Sequence, residues 1–474
     1  MGALSFLDRS HSVAVPGFSR WLVPPAALSI HLAIGQVYAF SVFKKPLNYL
    51  VQVSTTGGGL KALPGVDSPS PMDWKFTNLG WIFSLAIVCL GLSAAVFGKW
   101  LERVGPRKAM FTSAVCFASG FVVSALGVQL HQLWLIYLGY GVIGGIGLGI
   151  GYISPVSTLI KWFPDRPGMA TGMAIMGFGG GALIGSPLAN NLMAYFRTDH
   201  NLGVEKTFLV MGSIYFAAMM FGVFTVRLPL DGWKPEGWAA PAKPKALVTT
   251  RDLEVNAAFG TPQFWLLWLV LCMNVTAGIG ILEQASPMIQ ELFKGRITAA
   301  AAGGFVALLS LFNMGGRFVW SSASDYIGRK NTYYVFFVLG ALLYYLAPRT
   351  GASGLNSIPL FVGICGVILS MYGGGFATIP AYLRDLFGTM EVGAIHGRLL
   401  TAWSVAGVCG PVLVNYIREY QKNHGVPLAD AYSTVLYVMV ALLIVGFCAN
   451  AAVRPVHARH WDKVEGMGKQ MATT

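Results

Sequence analysis

The sequence predicts an all-α membrane protein, with twelve transmembrane helices in two pseudo-symmetric six-helix bundles. Three observations predict it. Of 474 residues, 55% are hydrophobic and only 11% charged, against roughly 25% charged in an ordinary soluble domain, so a water-soluble fold would lack polar surface to cover its core. Apolar runs of about 20 residues, enough to cross a hydrocarbon layer of about 30 Å, recur along nearly the whole chain. Two unrelated pairs of segments also repeat at nearly one spacing. A β-barrel is excluded, because its strands would alternate with period two over about ten residues.

The first run, 21–43, follows Arg9 and Arg20. It exceeds the roughly 7 to 15 apolar residues of a signal peptide and lacks a persuasive cleavage site, so it reads as an uncleaved helix. Segment 44–77, with "TTGGGLKALPG" and "SPSPM", is an external insertion with no evident chemistry. Runs 78–98, 109–128, 132–155, 167–195 and 207–226 complete the first bundle, bordered by polar clusters and Gly/Pro punctuation. Segment 227–260 is proline-rich and polar and reads as a linker. Runs 262–287, 299–321, 332–348, 358–382, 395–417 and 431–453 form the second bundle. The expected domains are thus an N-terminal segment 1–20, a bundle 21–226, the linker 227–260, a bundle 261–453 and a tail 454–474.

With both termini cytoplasmic, roughly 21 of the 33 basic residues fall in inside segments and about 11 outside, the bias that sets orientation. The net charge of +13 then reflects orientation and anionic headgroups. No basic stripe interleaved with aromatics lies outside the spans, so no nucleic-acid partner is expected. The six cysteines, Cys89, Cys116, Cys272, Cys365, Cys409 and Cys448, fall in predicted spans without a CxxC pair, which points to packing and to no metal site. "GGIGLGIG" (144–151) has the wrong spacing for a nucleotide loop and no strand before it, so no cofactor is expected. No P-loop, HExxH or GxSxG occurs, which argues against an ATP-driven pump and against an enzyme.

The repeat is specific. "GKWLERVGPRK" (98–108) corresponds to "SASDYIGRK" (322–330), with Glu102 matching Asp325 and Gly105 matching Gly328 at an offset of 223. "SPVSTLIKWFPDRPGMATG" (154–172) corresponds to "IPAYLRDLFGTMEVGAIHG" (379–397), with Pro155, Gly168 and Gly172 matching Pro380, Gly393 and Gly397 at 225. Two parallel halves follow. Gly98, Glu102, Gly105 and Arg107, with Asp325, Gly328 and Arg329, form candidate gating loops: the glycines permit tight reversal, and an acid at a helix end can bond a basic cluster or a neighbouring helix N-terminus.

Arg317, in "LSLFNMGGRFVW" (309–320), is an ionisable residue inside a span, where such residues usually face the bundle interior or a water-filled cavity. Snorkelling to the headgroups is the plain alternative. Asn313 lies one turn away on the same face, and Gly315 and Gly316 allow close packing. A guanidinium is a planar fork suited to a carboxylate and stays charged at every working pH. Glu283 is the nearest acid, toward the outer end of its span. Gln36, Tyr38, Tyr152 and Tyr372 offer donors and flat walls for a small organic acid. His31 is either a protonation site or a satisfied core histidine, the latter preferred.

The two loops resemble those of the major facilitator superfamily. More narrowly, "GQVYAFSVF" (35–43), "GIGYISPVSTLIKWFPDRPGMATGMAIMGFGGGA" (149–182) and "PQFWLLWLVLCMNVTAGIGILEQASPM" (262–288) resemble the oxalate/formate antiporter family. Ser321 stands for the loop's first glycine in the second copy and Glu102 for the usual aspartate in the first. The resemblance implies a major facilitator fold in a bacterial inner membrane, as a monomer. It also implies a site with an arginine in span eight, matched by Arg317, and a lysine in span eleven. Trp403 stands at the lysine's expected place, which favours a monocarboxylate such as lactate, pyruvate or formate over oxalate. Animal monocarboxylate transporters, similar in this region, have an acid one turn before the arginine; here it is Asn313, which cannot titrate. The expectation is therefore a secondary transporter of a small monocarboxylate, with protons as coupling ion. Carboxylate exchange and a non-transporting sensor are the alternatives.

Overall fold

The computed structural model describes residues 5–57, 70–230, 232–238, 247–293, 296–351, 354–427 and 430–461. Among them the chain is helical, with two isolated β-bridges. Twelve long helices follow one another: α1 Val23–Ile34, continued by a 3₁₀ stretch Gly35–Ala39, α2 Phe76–Val104, α3 Pro106–Gln129, α4 Leu133–Trp162, α5 Pro167–Phe196 and α6 Val204–Thr225. The second set is α7 Pro262–Leu292, α8 Ala299–Ile327, α9 Arg329–Leu346, α10 Ile358–Phe387, α11 in two pieces, Val392–Leu399 and Thr401–Asn423, and α12 Ala431–Ala452.

Eleven helical stretches among the described residues are long and apolar enough to cross a membrane. The ninth helix falls short because its 18 residues open with Arg329, Lys330 and Asn331. Six helices outrun their apolar runs by five or more residues, four of them on one side of the molecule: α2 reaches Val104, α4 Trp162, α8 Ile327 and α10 Phe387. Hydropathy marks where lipid stops, while helical hydrogen bonding continues through polar, helix-compatible residues until something breaks it. At α2, α8 and α10 the breaker is a glycine, Gly105, Gly328 or Gly388, each at φ between 86° and 88°, a conformation that glycine adopts without strain. These ends share one face of the molecule, here the motif face.

Small residues let helices touch through their backbones. A Cβ on Gly35 of α1 would stand 2.8 Å from the Cα of Phe178 on α5, and one on Gly181 would stand 2.6 Å from the Cα of Gly35. Gly316 packs against the backbone of Ser370, but Gly315 meets nothing within 4 Å, so only one of the two glycines beside Arg317 serves close approach. The cysteines are all free.

Short helices Ser41–Leu47 and Leu50–Thr56 follow α1. Asp73 accepts from Val51 N at 2.8 Å and Gln52 N at 3.1 Å, which folds the described ends of the 44–77 insertion onto each other; 58–69 lie outside the described residues. The linker is tied at both ends. Leu228 N donates to Ser12 O at 2.7 Å, while Thr249 N and Leu253 N donate to Asp385 O and Phe387 O, each at 2.8 Å. Its residues 231 and 239–246, and 462–474 of the tail, lie outside the described residues.

Candidate functional site

Arg317 is fully buried in α8. Its Nε donates to Asn313 Oδ1 at 3.1 Å and its Nη1 reaches the carbonyl of Ile175 on α5 at 3.5 Å. Its Nη2 has no hydrogen-bond partner among the described residues. The snorkelling alternative is thereby overturned, since the guanidinium turns into the protein toward the other six-helix half. It lies over Phe376 at 5.2 Å and Phe178 at 5.6 Å, in the cation–π range. None of the seven ion pairs among the described residues includes it. The Glu283 side chain lies outside the described set.

Rings from five helices close around the charge. Trp403 of α11 meets Phe376 of α10 at 4.4 Å, Tyr152 of α4 and Phe178 of α5 at 5.4 Å, and Tyr38, on the 3₁₀ end of α1, at 6.5 Å. Tyr38 and Tyr372 share a hydrogen bond at 3.2 Å between their hydroxyls, linking the two halves. Asn313, Tyr152, Tyr372 and Trp403 are buried. By strict geometry the Tyr152 hydroxyl and Trp403 Nε1 are, like Arg317 Nη2, buried without a partner among the described residues, and the hydroxyls of Tyr152 and Tyr38 lie within reach of the guanidinium. Buried donors are nearly always paired, so three orphans in one ring cluster fit a small polar guest.

Of the residues expected to line a site, the structure brings Arg317, Asn313, Tyr38, Tyr152, Tyr372 and Trp403 together. Gln36 departs: its Oε1 accepts from Tyr140 at 2.9 Å and its Cγ lies toward Gly185, inside the first half. The cause is the 3₁₀ stretch Gly35–Ala39, where three residues per turn shift the helix face. Sequence reasoning missed Phe178, Phe376 and His396. His396 is buried beside Tyr152, ring centroids 5.9 Å apart, with both nitrogens unpartnered. His31 stacks on the other side of Tyr152 at 5.2 Å.

The candidate gating residues divide in two. Asp325 accepts from Gly168 N and Met169 N, both at 2.9 Å, at the start of α5, and pairs with Arg329 at 2.5 Å. Glu102 accepts from Gly393 N at 3.2 Å, at the start of α11, from Ser157 at 2.7 Å, and pairs with Lys161 at 2.6 Å. Each carboxylate thus caps a helix of the opposite half, where the helix dipole favours negative charge. Gly98 joins them, since its Cβ would stand 2.7 Å from the Cα of Ala394. Arg329 also holds Asp385 at 3.1 Å and donates to Ser324. Arg107 acts within one half, donating to Phe6 O at 2.7 Å and Val226 O at 3.4 Å. Gly105 and Gly328 end helices, and Gly105 also leaves room for Arg9, whose Cβ would stand 3.1 Å from an added Cβ. The motif face is closed, and Thr171 Oγ1, donating to Ala377 O at 2.6 Å, adds a contact between α5 and α10.

Comparison with known proteins places these features in a family. The chain is 28% identical over 331 residues to the oxalate:formate antiporter of Oxalobacter formigenes, covering 69% of this chain and 73% of that one. It is 24% identical over 366 residues to human monocarboxylate transporter 11, covering 74% and 71%. The proton:xylose symporter XylE superposes with a TM-score of 0.65 at 14% identity, over 94% of this chain and 97% of the other, a likeness of fold. The family model of the Major Facilitator Superfamily matches residues 14–411. Twelve helices in two halves, a buried cation where the halves meet and reciprocal caps on one face therefore belong to a transporter, and the chain is a member of the Major Facilitator Superfamily.

Proposed function

We propose that the protein carries a small monocarboxylate across the membrane by alternating access, with a proton as co-substrate and both termini cytoplasmic. One observation carries the reading: Arg317 is a fully buried cation whose Nη2 lacks a partner among the described residues. A guanidinium in a dry interior needs a counter-charge, and a carboxylate arriving from solution supplies it. Asn313 fixes the guanidinium by its Nε and the Ile175 carbonyl takes a long contact from Nη1, leaving Nη2 for the anion. The Tyr152 hydroxyl supplies a further donor. Tyr38, Phe178, Phe376 and Trp403 wall the remaining space, which suits a short apolar tail. Two relatives, named for oxalate:formate exchange and for monocarboxylate transport, support the substrate class.

In the transport cycle the halves rock about this site. The closed motif face, held by Asp325 and Glu102, corresponds to the state from which the opposite face opens. Anion binding neutralises Arg317 and draws the two sets of rings together.

Exchange of oxalate for formate is the second reading, favoured by the first of those relatives. Trp403 stands against it, because a dicarboxylate would bring a second charge into a wall of rings. Uptake of labelled lactate, pyruvate, formate and oxalate into proteoliposomes, with and without a pH gradient, decides between them. The expected result is gradient-driven monocarboxylate uptake that Arg317→Ala abolishes. Oxalate exchange with no monocarboxylate uptake overturns the substrate assignment. Binding without counterflow makes the protein a sensor.

A further inference from the structure

His31, in the last turn of α1, is fully buried. Its Nε2 faces the backbone carbonyl oxygen of Tyr152 at 3.0 Å, and its Nδ1 faces that of Ala174 on α5. Carbonyl oxygens only accept hydrogen bonds, whereas a neutral imidazole has one N–H and one lone pair. In the neutral ring, then, one carbonyl meets a lone pair, and only an imidazolium donates to both. We infer that His31 takes up a proton together with the substrate anion and holds it as an imidazolium between the carbonyls of Ala174 and Tyr152. The inference rests on the carboxylate site proposed at Arg317.

The surroundings explain the coupling. From α4, Tyr152 stacks on the ring, and from α5, Phe178 meets it edge-on. Arg317 of α8 and His396 of α11 lie within electrostatic range. α6 packs on α1 through Gly222, against Ala26 and Ile30. Its ionisable residues face elsewhere: Tyr215 packs on Phe117 and Phe121, Glu205 bonds Asn201, and Lys206 sits beside Glu205 at the far end. No carboxylate is among these neighbours. The Arg317 guanidinium, on the Phe178 ring that His31 also meets, repels a second positive charge while the site is empty. A carboxylate on Arg317 offsets that repulsion, so proton and anion strengthen each other's binding by one common factor. The proton comes from water on the open side, forms an N–H bond with the ring's lone pair, and returns to water with the anion on the other. Asn313 cannot do this, and His396 has no acceptor for either ring nitrogen among the described residues.

Nitrogen NMR of the full chain in lipid, with ¹⁵N-labelled histidine, reads the ring directly; signals missing from His31→Gln assign it. Without anion near pH 7 we expect one N–H on His31. Adding L-lactate, pyruvate or formate should produce two, and signals of His396 should stay neutral. A His31 ring that stays neutral although an acid binds, as shown by quenching of tryptophan fluorescence, overturns the inference and leaves the carboxylate reading intact. If no acid binds, the carboxylate reading falls, and a pH titration without anion decides about His31. An imidazolium forming toward pH 5 with the rest of the spectrum unchanged then supports the proton site, while protonation only on global loss of signal overturns it. In proteoliposomes, His31→Gln should retain counterflow, which shows that it folds, yet lose at least tenfold of the accumulation driven by a pH gradient.

Discussion

Phe178 and Trp403 hold equivalent positions in the two halves, 225 residues apart, and their rings meet at 5.4 Å. The offset is that of Gly168 and Gly393, backbone donors capped by Asp325 and Glu102 respectively. One pseudo-symmetry thus arranges both the cage around Arg317 and the contacts that close the motif face.

Trp403 is the point at which selectivity can be moved. Trp403→Lys puts a second cation opposite Arg317 in place of a ring, so oxalate should compete at least tenfold better against labelled lactate in counterflow. Unchanged competition would remove Trp403 from any role in selecting charge number.

The Tyr152 hydroxyl makes no hydrogen bond among the described residues. Tyr152→Phe should therefore leave the thermal midpoint unchanged or slightly raised. A hydrogen bond to a charged partner contributes about 1.5–3 kcal/mol, so KM for the transported acid should rise roughly tenfold or more. A lower midpoint with unchanged KM would make the residue structural.

The two caps are unequal. Asp325 holds two backbone donors and Arg329, while Glu102 holds one backbone donor across the halves, at a longer 3.2 Å. Asp325→Asn should open the motif face more than Glu102→Gln, each loss being on the order of 1–3 kcal/mol. A cysteine at buried Thr171, in a background without the six native cysteines, reports this by its maleimide labelling rate. Equal rates in both variants and the parent would show that the caps do not hold the face shut.

Gly35→Ala tests the contact of α1 with α5. The added methyl would stand 2.8 Å from the Cα of Phe178, so the helices must separate, at about 1–3 kcal/mol. Tyr38 and Phe178 move apart as a result, and transport should fall several-fold with the fold retained. Normal uptake would mean that the cage tolerates a wider α1–α5 spacing.

Much of the fold was legible because lipid imposes a simple rule on sequence, and the repeat then supplied the two halves. Helix ends on the motif face were not legible, since α2 runs on to Val104 through residues that hydropathy assigns to water. Arg317 declared itself because a charge in lipid is rare. Phe178 and Phe376 did not, because a phenylalanine in an apolar helix needs no special reason; the 225-residue offset applied to Trp403 would have pointed to Phe178. Gln36 was misplaced by a local change of helical pitch. For His31 the sequence favoured a satisfied core histidine, and the proton-site reading came forward only with the two carbonyls that face it, which belong to residues 121 and 143 positions away.

The linker's anchors, Leu228 on the N-terminal segment and Thr249 on the end of α10, are 21 residues apart in the chain. Extended at about 3.3–3.6 Å per residue, that length reaches about 70 Å, whereas a 30-residue helix such as α10 spans only about 45 Å. The linker's length alone does not fix the rotation of the parts it joins, although between the anchors Trp233 packs on Trp162 of α4 at 4.7 Å. What the covalent link adds is local concentration, of millimolar order where a connection is short. In that sense the transporter is a heterodimer that happens to be written as one chain, and a cut between the anchors would leave its interface intact while making its assembly depend on how much of each half is present.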